Sequence, residues 1–270
     1  MKTLLLIDGN AIMHRAYHAL PPFKTKDGTP THVIYGFFSM LFRALSDFKP
    51  THVVVCFDTP KPTFRNKMFK EYQAQRPKIH DDFIVQIPLL KEAIVKSGIK
   101  QLEKDGFEAD DVIGTLAKKA EKEKMKVLIL TGDRDILQLV DKNIFVLAPQ
   151  LGLSNIKMYD EQEVKTRMLV TPPEIPDLKA LTGDPSDNYP GAKGIGPKTG
   201  LKLIKEHGTD FPVVFQKVEW EKHYPDLSWQ EVYDTIKNVP VTNNYSLKWN
   251  NVDEKELIDL LIKRHDFSEE

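Results

Sequence analysis

Five short segments of this sequence are rich in carboxylates. They are Asp8-Gly9-Asn10, Asp58, Glu108-Ala109-Asp110-Asp111, Thr131-Gly132-Asp133-Arg134-Asp135 and Gly183-Asp184-Pro185-Ser186-Asp187-Asn188. Together they hold nine acids, with no histidine or cysteine in company. All-oxygen ligand sets suit hard cations such as Mg²⁺ or Mn²⁺. Nine carboxylates exceed what one octahedral ion takes, so two or more ions are the economical inference. Paired ions about 4 Å apart clamp the attacking and leaving oxygens of a phosphoryl transfer. Each segment also has a plainer reading. An aspartate after a strand often caps a helix or starts a turn, acids in a first helical turn suit the helix dipole, and 183–188 reads as an Asp-rich turn. Yet three acids within 108–111 repel one another more than a capping box requires, and a divalent cation relieves that repulsion.

The loop Pro190-Gly191-Ala192-Lys193-Gly194-Ile195-Gly196-Pro197-Lys198-Thr199 opens a segment that also carries Lys202 and Lys205. Glycines let backbone approach a phosphate, and a helix N-terminus favours anions. The spacing is not that of a Walker loop, and no strand precedes it, so a hairpin between helices gripping a nucleic-acid backbone fits best.

These segments must be positioned by an alternation of strands and helices. Apolar runs predict strands at 3–7, 52–57, 126–130 and 144–147, and apolar spacing predicts helices at 32–48, 84–97 and 109–124. Three of the strands run directly into Asp8, Asp58 and the Asp133 segment. In open α/β sheets, ligands bind beyond the carboxyl ends of the strands. Past about residue 170 the strands stop, and helices are expected at 177–181, 199–207, 229–237 and 254–263. The fold class expected is therefore α/β, a mainly parallel sheet flanked by helices, followed by a smaller helical region.

The 270 residues carry 38 basic and 39 acidic side chains, a net charge of −1. The charges are unevenly spread: Lys61, Arg65, Lys67, Lys70, Arg76 and Lys78 face only Glu71 before Asp81. A near-neutral total can hide basic patches around an acidic centre, although solvated helix faces give the same pattern. The 41% hydrophobic and 29% charged content excludes a wholly disordered chain. No run approaches the length of a membrane span, and Asp8 cuts short the apolar N-terminus. A single cysteine, Cys56, excludes an internal disulfide framework and a cysteine-based zinc site; it lies in an apolar run and reads as inert core. The cytoplasm is the expected compartment. His14, His18 and His32 read as packing or surface residues, and Trp220, Trp229 and Trp249 as core anchors.

Taken together, the quoted segments resemble the 5′-nuclease (flap endonuclease) superfamily. They are most similar to the N-terminal 5′–3′ exonuclease domain of bacterial DNA polymerase I. The likeness is carried by Ile7-Asp8-Gly9-Asn10 with Arg15-Ala16-Tyr17-His18, by Phe57-Asp58 with Thr63-Phe64-Arg65, by the 108–114, 131–135 and 183–188 segments, and by the glycine loop. It covers about residues 3–205 in the family's order. The resemblance implies a PIN-like α/β nuclease core over 1–170 with a helical arch at about 60–85. It also implies a helical region over 171–270 holding a helix–hairpin–helix motif at about 178–207.

The resemblance further implies a phosphodiesterase acting on DNA with a 5′ end, a 5′ flap or a duplex junction, or on an RNA/DNA hybrid. It leaves a 5′-phosphate and a 3′-hydroxyl, as in primer removal and repair. Asp8, Asp58, Glu108 and Asp110 are expected around one ion, with Asp111 nearby. Asp133, Asp135, Asp184 and Asp187 are expected toward a second. A potassium ion is implied on the carbonyls of the glycine loop. Arg65 and Arg76 are expected to meet phosphates, and Tyr72 to stack on a base. Further DNA contacts are expected from Arg15, Lys70, Gln73, Lys193, Gly194, Gly196, Lys198 and Thr199. The chain is expected to act as a monomer, as a free-standing nuclease or as an excised part of a polymerase, with a polymerase partner in cis or in trans.

One position departs from the pattern. Relatives linked to a polymerase carry lysine after the tyrosine of Glu71-Tyr72-Gln73-Ala74, where this chain has Gln73. Glutamine donates hydrogen bonds but brings no charge, which predicts slower chemistry. Two other readings stay open: a DNA-binding module without catalysis, and a PIN-type ribonuclease that would not need the glycine hairpin.

Overall fold

A computed structural model describes residues 2–153, 155–208, 210–237, 254–265 and 267. Its centre is a six-stranded sheet of order β3-β2-β1-β4-β5-β6. The strands are β1 (Thr3–Asp8), β2 (His52–Cys56), β3 (Lys100–Leu102), β4 (Lys126–Leu130), β5 (Ile144–Pro149) and β6 (Ile156–Tyr159). Five run parallel, and β6 pairs antiparallel to β5. The apolar runs expected at 52–57, 126–130 and 144–147 are all strands, whereas β3 and β6 were not expected. Both lie at the sheet's edges and are short and half-exposed, so neither carries a buried apolar run.

Side chains alternate between two cores, as the strand period of two requires. Leu4, Leu6, Val54, Cys56, Val127 and Ile129 face one core, and Leu5, Ile7, Val53, Val55, Leu128 and Leu130 face the other. The second core is covered by α1 (Gly9–Ala19), α2 (His32–Phe48) and, beyond α3 (Phe64–Met68) and α4 (Asp81–Ile84), by α5 (Gln86–Lys96). The first is covered by α6 (Ala109–Lys122) and by the helices after the sheet. These are α7 (Glu161–Met168), α8 (Ile175–Thr182), α9 (Pro197–His207), α10 (Phe211–Lys217), α11 (Trp220–His223) and α12 (Trp229–Ile236). A last helix, α13 (Glu254–Ile258), continues into a turn that places Leu260 in the second core.

Two expectations change. The helix expected over 84–97 is broken into α4 and α5, and the arch contains one five-residue helix, α3, followed by turns. Trp220 and Trp229 are core anchors: Trp220 is buried with its indole N–H donating to the Leu227 carbonyl, and Trp229 stacks on Phe215 at 4.7 Å. Trp249 lies outside the described residues.

β1 sits where the strand order reverses, with β2 on one side and β4 on the other. That crevice, at the carboxyl ends of parallel strands, is where such sheets bind ligands.

Candidate active site

Three adjacent strands end in acids. Asp8 closes β1, Asp58 follows β2 and Asp133 follows β4. The plain capping reading of Asp8 is also true: its Oδ1 accepts the Ala11 amide at 2.9 Å as N-cap of α1. Its Oδ2 accepts the Thr131 hydroxyl at 2.7 Å, which ties β1 to the turn after β4. Asp58 Oδ1 accepts the Ala109 amide at 2.7 Å, and its own amide donates to Asn10 at 3.0 Å. These bonds lock the ends of β1 and β2 to the start of α6. Asp133 Oδ1 accepts the Asp135 amide at 2.8 Å.

α6 opens with Glu108 as N-cap, and here neighbours part company. Asp110 lines the cleft with Glu108. Asp111 is fully buried and takes both Arg65 guanidinium nitrogens at 2.7 Å each. It also accepts the Glu108 amide at 2.9 Å, completing a capping box. Residues one apart on a helix point about 100° apart, so one acid faces the cleft and the next faces the core. The expectation of Asp111 as a metal ligand is therefore corrected: its oxygens are spent on Arg65 and the cap.

Arg65 is corrected with it. The side chain is buried, and its Nε donates to the Thr235 carbonyl in α12 at 2.7 Å. It joins α3, α6 and α12 rather than meeting a phosphate. Tyr72 is corrected too: it is buried, and its hydroxyl donates to Glu108 at 3.0 Å, so its ring is not free to stack on a base.

The second acidic group gathers at the end of α8. One oxygen each from Asp135, Asp184 and Asp187 lie within 4.8 Å of one another. Between them reaches Lys179, which contacts both Asp135 and Asp184. Sequence reading missed Lys179; its signal is a lone cation amid Leu178, Ala180 and Leu181, one helical turn before Gly183. Thr131, a donor to Asp8, and Asn10, an acceptor for the Asp58 amide, were missed as well, because neutral hydrogen-bonding groups leave no charge pattern.

Segment 69–76 is fastened onto the 184–189 loop. The Gln73 amide donates to the Asp187 carbonyl at 3.1 Å, and Gln73 Nε2 donates both to Asp187 Oδ1 at 3.0 Å and to the Tyr72 hydroxyl at 2.7 Å. Gln73 itself sits in the left-handed region, φ 54°. Arg76 donates to the same Asp187 oxygen at 2.8 Å while remaining half-exposed. Gln75 donates to the Pro185 carbonyl at 2.7 Å, and Asn188 to the Glu71 carbonyl at 2.7 Å.

A cleft of about 750 Å³ is lined by Asp8, Asp58, Glu108, Asp110, Asp133, Asp135 and Asp187, with Gln73 and Arg76 also on its wall. Asp111 and Asp184 do not line it. Electrostatics follow from this crowding. Burial first, then the charges of Asp58 and Asp133, raise Asp8 to about 7. Burial raises Glu108 to about 7 and Asp135 to about 6, and pushes Asp58 up. Asp110 is held well above the carboxylate range by burial and by the charges of Asp133, Asp8, Asp58 and Glu108. At Asp184 burial works upward, but Lys179 and the Ser186 donors hold it below its ordinary value. The donor set fits hard divalent cations: every group is an oxygen donor, and repulsion among them is what a cation relieves.

The remaining expected DNA contacts lie apart from the cleft. Lys193, Gly194, Gly196, Lys198 and Thr199 are exposed at the start of α9, with Gly194 at φ 78°. Lys70 is exposed. Arg15 spends its Nη2 on the Gln150 and Gly152 carbonyls, clipping α1 to the β5–β6 turn. His32 is buried in a packing role, whereas His14, stacked on Phe83 at 4.6 Å, is exposed and lines the carboxylate cleft.

Residues 3–169 match the family described as 5′-3′ exonuclease, N-terminal resolvase-like domain, and residues 170–225 match 5′-3′ exonuclease, C-terminal SAM fold. The chain is 37% identical over 268 residues to a 5′-3′ exonuclease of Aquifex aeolicus, covering 99% of this chain and 89% of that protein. It is 46% identical over 209 residues to DNA polymerase I of Mycobacterium tuberculosis, which covers 77% of this chain but only 23% of the polymerase. Among solved structures, the T5 D15 protein co-crystallised with metal ions superposes with a TM-score of 0.67 at 17% identity, covering 97% of this chain and 93% of that one. That likeness is one of fold. Profile and relatives agree with the carboxylate cleft and its sheet: the chain belongs to the 5′-3′ exonuclease family.

Proposed function

We propose that this chain is a metal-dependent 5′ nuclease that hydrolyses phosphodiester bonds of DNA bearing a 5′ end or flap, leaving a 5′-phosphate and a 3′-hydroxyl. One observation carries it: seven acids from four separate segments and the 184–189 loop line a single cleft, roofed by a basic segment. Such repulsion serves no structural purpose. Asp8, Asp58, Glu108 and Asp110 would hold one Mg²⁺ or Mn²⁺, and Asp133, Asp135, Asp184 and Asp187 a second. When bound, such ions supply a nucleophilic water at neutral pH and neutralise charge at the scissile phosphate.

The protein's own share is positional. Thr131, Asn10 and the Ala109 amide fix the directions of Asp8 and Asp58. Lys179 holds Asp135 and Asp184 together. Tyr72 and Gln73 link Glu108 to Asp187 across the cleft through hydrogen bonds, so the two carboxylate groups are set relative to each other before any ligand arrives. Arg76, half-exposed on the rim, is the guanidinium available to a phosphate. The exposed start of α9 would receive duplex backbone, and the carbonyls of the glycine loop would hold a potassium ion. A core over 1–170, a helical region over 171–270, a monomeric state, a cytoplasmic setting and a polymerase partner complete the proposal. Among the described residues, no helix is long and apolar enough to cross a membrane.

The test is cleavage of a 5′-labelled flap duplex with Mg²⁺, with Mn²⁺ and with EDTA. Cutting near the junction that EDTA abolishes is expected. An intact flap that binds tightly in every condition would indicate a binding module instead. Asp133→Asn is expected to lose cleavage and keep DNA binding. A matched RNA flap cut as well as the DNA flap, without need of a duplex, would favour a ribonuclease.

A further inference from the structure

A second cleft, of about 290 Å³, opens beside the first and shares only Asp133 with it. Arg15, Arg134 and Arg167 line it, three guanidiniums against the single carboxylate of Asp133. Arg15 is built into the wall by its two carbonyl contacts. Arg134 and Arg167 are exposed, and among the described residues no acid pairs with either. Glu163, on the same helix as Arg167, is engaged elsewhere and holds Lys157 at 2.5 Å. Arg167 instead lies over the Tyr159 ring, 5.6 Å from its centroid, with Lys157 over the same ring at 4.9 Å. Apolar surface on the wall comes from Leu137, from Val146, Ala148 and Pro149 of β5, and from Leu151, which is 92% exposed; Gly132, Gln150 and Tyr159 complete the lining.

A mixed cleft, part apolar and rimmed by arginines, has a defined ligand chemistry. Unpaired guanidiniums call for a phosphate, which they bind in a fork. The apolar surface and Leu151 call for a flat, weakly polar group such as a base. The volume is that of a small-molecule site. We propose that this cleft is a subsite for a 5′-phosphorylated nucleotide, with the phosphate on Arg134 and Arg167 and the base against Leu151 and β5. The nucleotide is either a released monophosphate or the terminal unit of a strand; both present the same phosphate and base. The proposal rests on the nuclease reading for the source of that nucleotide, not for the existence of the site.

The experiment is equilibrium dialysis of the full chain with deoxythymidine 5′-monophosphate in EDTA, which leaves no ion to hold a phosphate at the carboxylates. Inorganic phosphate is the second probe. The third is a short single strand carrying either a 5′-phosphate or a 5′-hydroxyl. The nucleotide is expected to bind at least about tenfold more tightly than inorganic phosphate. Arg134→Gln and Arg167→Gln, each removing a charge-assisted contact, are expected to weaken it about tenfold or more. Arg43→Gln, on α2, is expected to change nothing. Weakening confined to the 5′-phosphorylated strand assigns the site to a strand end; weakening of the free nucleotide assigns it to a product. Binding of both probes unchanged in both variants, or no binding by the wild type, overturns the subsite. Flap cleavage by the same preparations is read separately. Its presence without nucleotide binding overturns only the subsite, and its absence overturns the nuclease reading.

Discussion

Arg65 and Asp111 form an ion pair that is 4% and 0% exposed, a buried charge on each side. Removing one partner leaves the other unpaired in the core, which costs about 3–5 kcal/mol. Arg65→Met is therefore expected to lower the urea midpoint steeply, while the double variant Arg65→Met, Asp111→Leu recovers much of the loss. A single variant as stable as the wild type would show that the pair carries no such cost. Gln73 makes a different kind of contribution. Its amide serves two acceptors, Tyr72 and Asp187, and brings no charge to the cleft. Gln73→Lys is expected to raise the single-turnover rate of flap cleavage, because an ammonium there adds attraction for a phosphate. An unchanged rate would mean that Arg76 already supplies what is needed. At this scale the nine acids were legible because charge and spacing survive in a linear string. Their division of labour was not. Asp110 and Asp111 are adjacent letters with opposite fates, and Tyr72 looks like any arch aromatic until its burial is seen.

Elements are held in register by contacts that spacing does not encode. The chain reverses between α8 and the glycine loop so tightly that a Cβ at Gly191 would fall 2.3 Å from the Thr182 carbonyl carbon and 2.4 Å from the Gly183 amide nitrogen. Those neighbours are backbone and cannot step aside. Gly191→Ala is expected to destabilise by about 1–3 kcal/mol or more in chemical denaturation and to displace the neighbouring Asp184 segment. Gly194→Ala, with open space around the position, should cost less. α8 also packs on α12 through Asp177, which is 2% exposed and whose Oδ1 has no hydrogen-bond partner. Burial raises Asp177 from 3.8 to about 6, against the bond from Tyr233. A carboxyl raised on folding is favoured in its neutral form, so its contribution is full below 3.8 and is lost as pH rises through about 6. Asp177→Asn is expected to flatten that loss, narrowing the fall in melting temperature between pH 5 and pH 8 in EDTA. An identical pH profile in the variant would refute the assignment. The main strands were readable from apolar runs of five or so residues. α1 was not, because Asp8-Gly9-Asn10 has the letters of a turn and only the structure shows Asp8 acting as its cap.

Across the whole molecule, a net charge of −1 conceals a separation of signs. The acids converge at one edge of the sheet, while Lys70, Arg134, Lys198 and Arg167 are exposed and, among the described residues, form no ion pair. Order along the chain predicted the parallel sheet and the edge where chemistry would sit. It could not predict the fastening of segment 69–76 onto the 184–189 loop, more than 100 residues away, since such pairing depends on three-dimensional proximity alone. The sole thiol gives that architecture a clock. Cys56 is fully buried and lies opposite Asp8 in the β1–β2 register. A thiol reagent can reach it only when the sheet beneath the carboxylates opens. The pace of modification in native buffer therefore counts openings of the site's own foundation, with no label added and no residue changed. If divalent cations bind the closed form alone, a concentration one hundred times their dissociation constant should slow that clock about one-hundredfold. A pace indifferent to the cation would place the opening elsewhere than under Asp8.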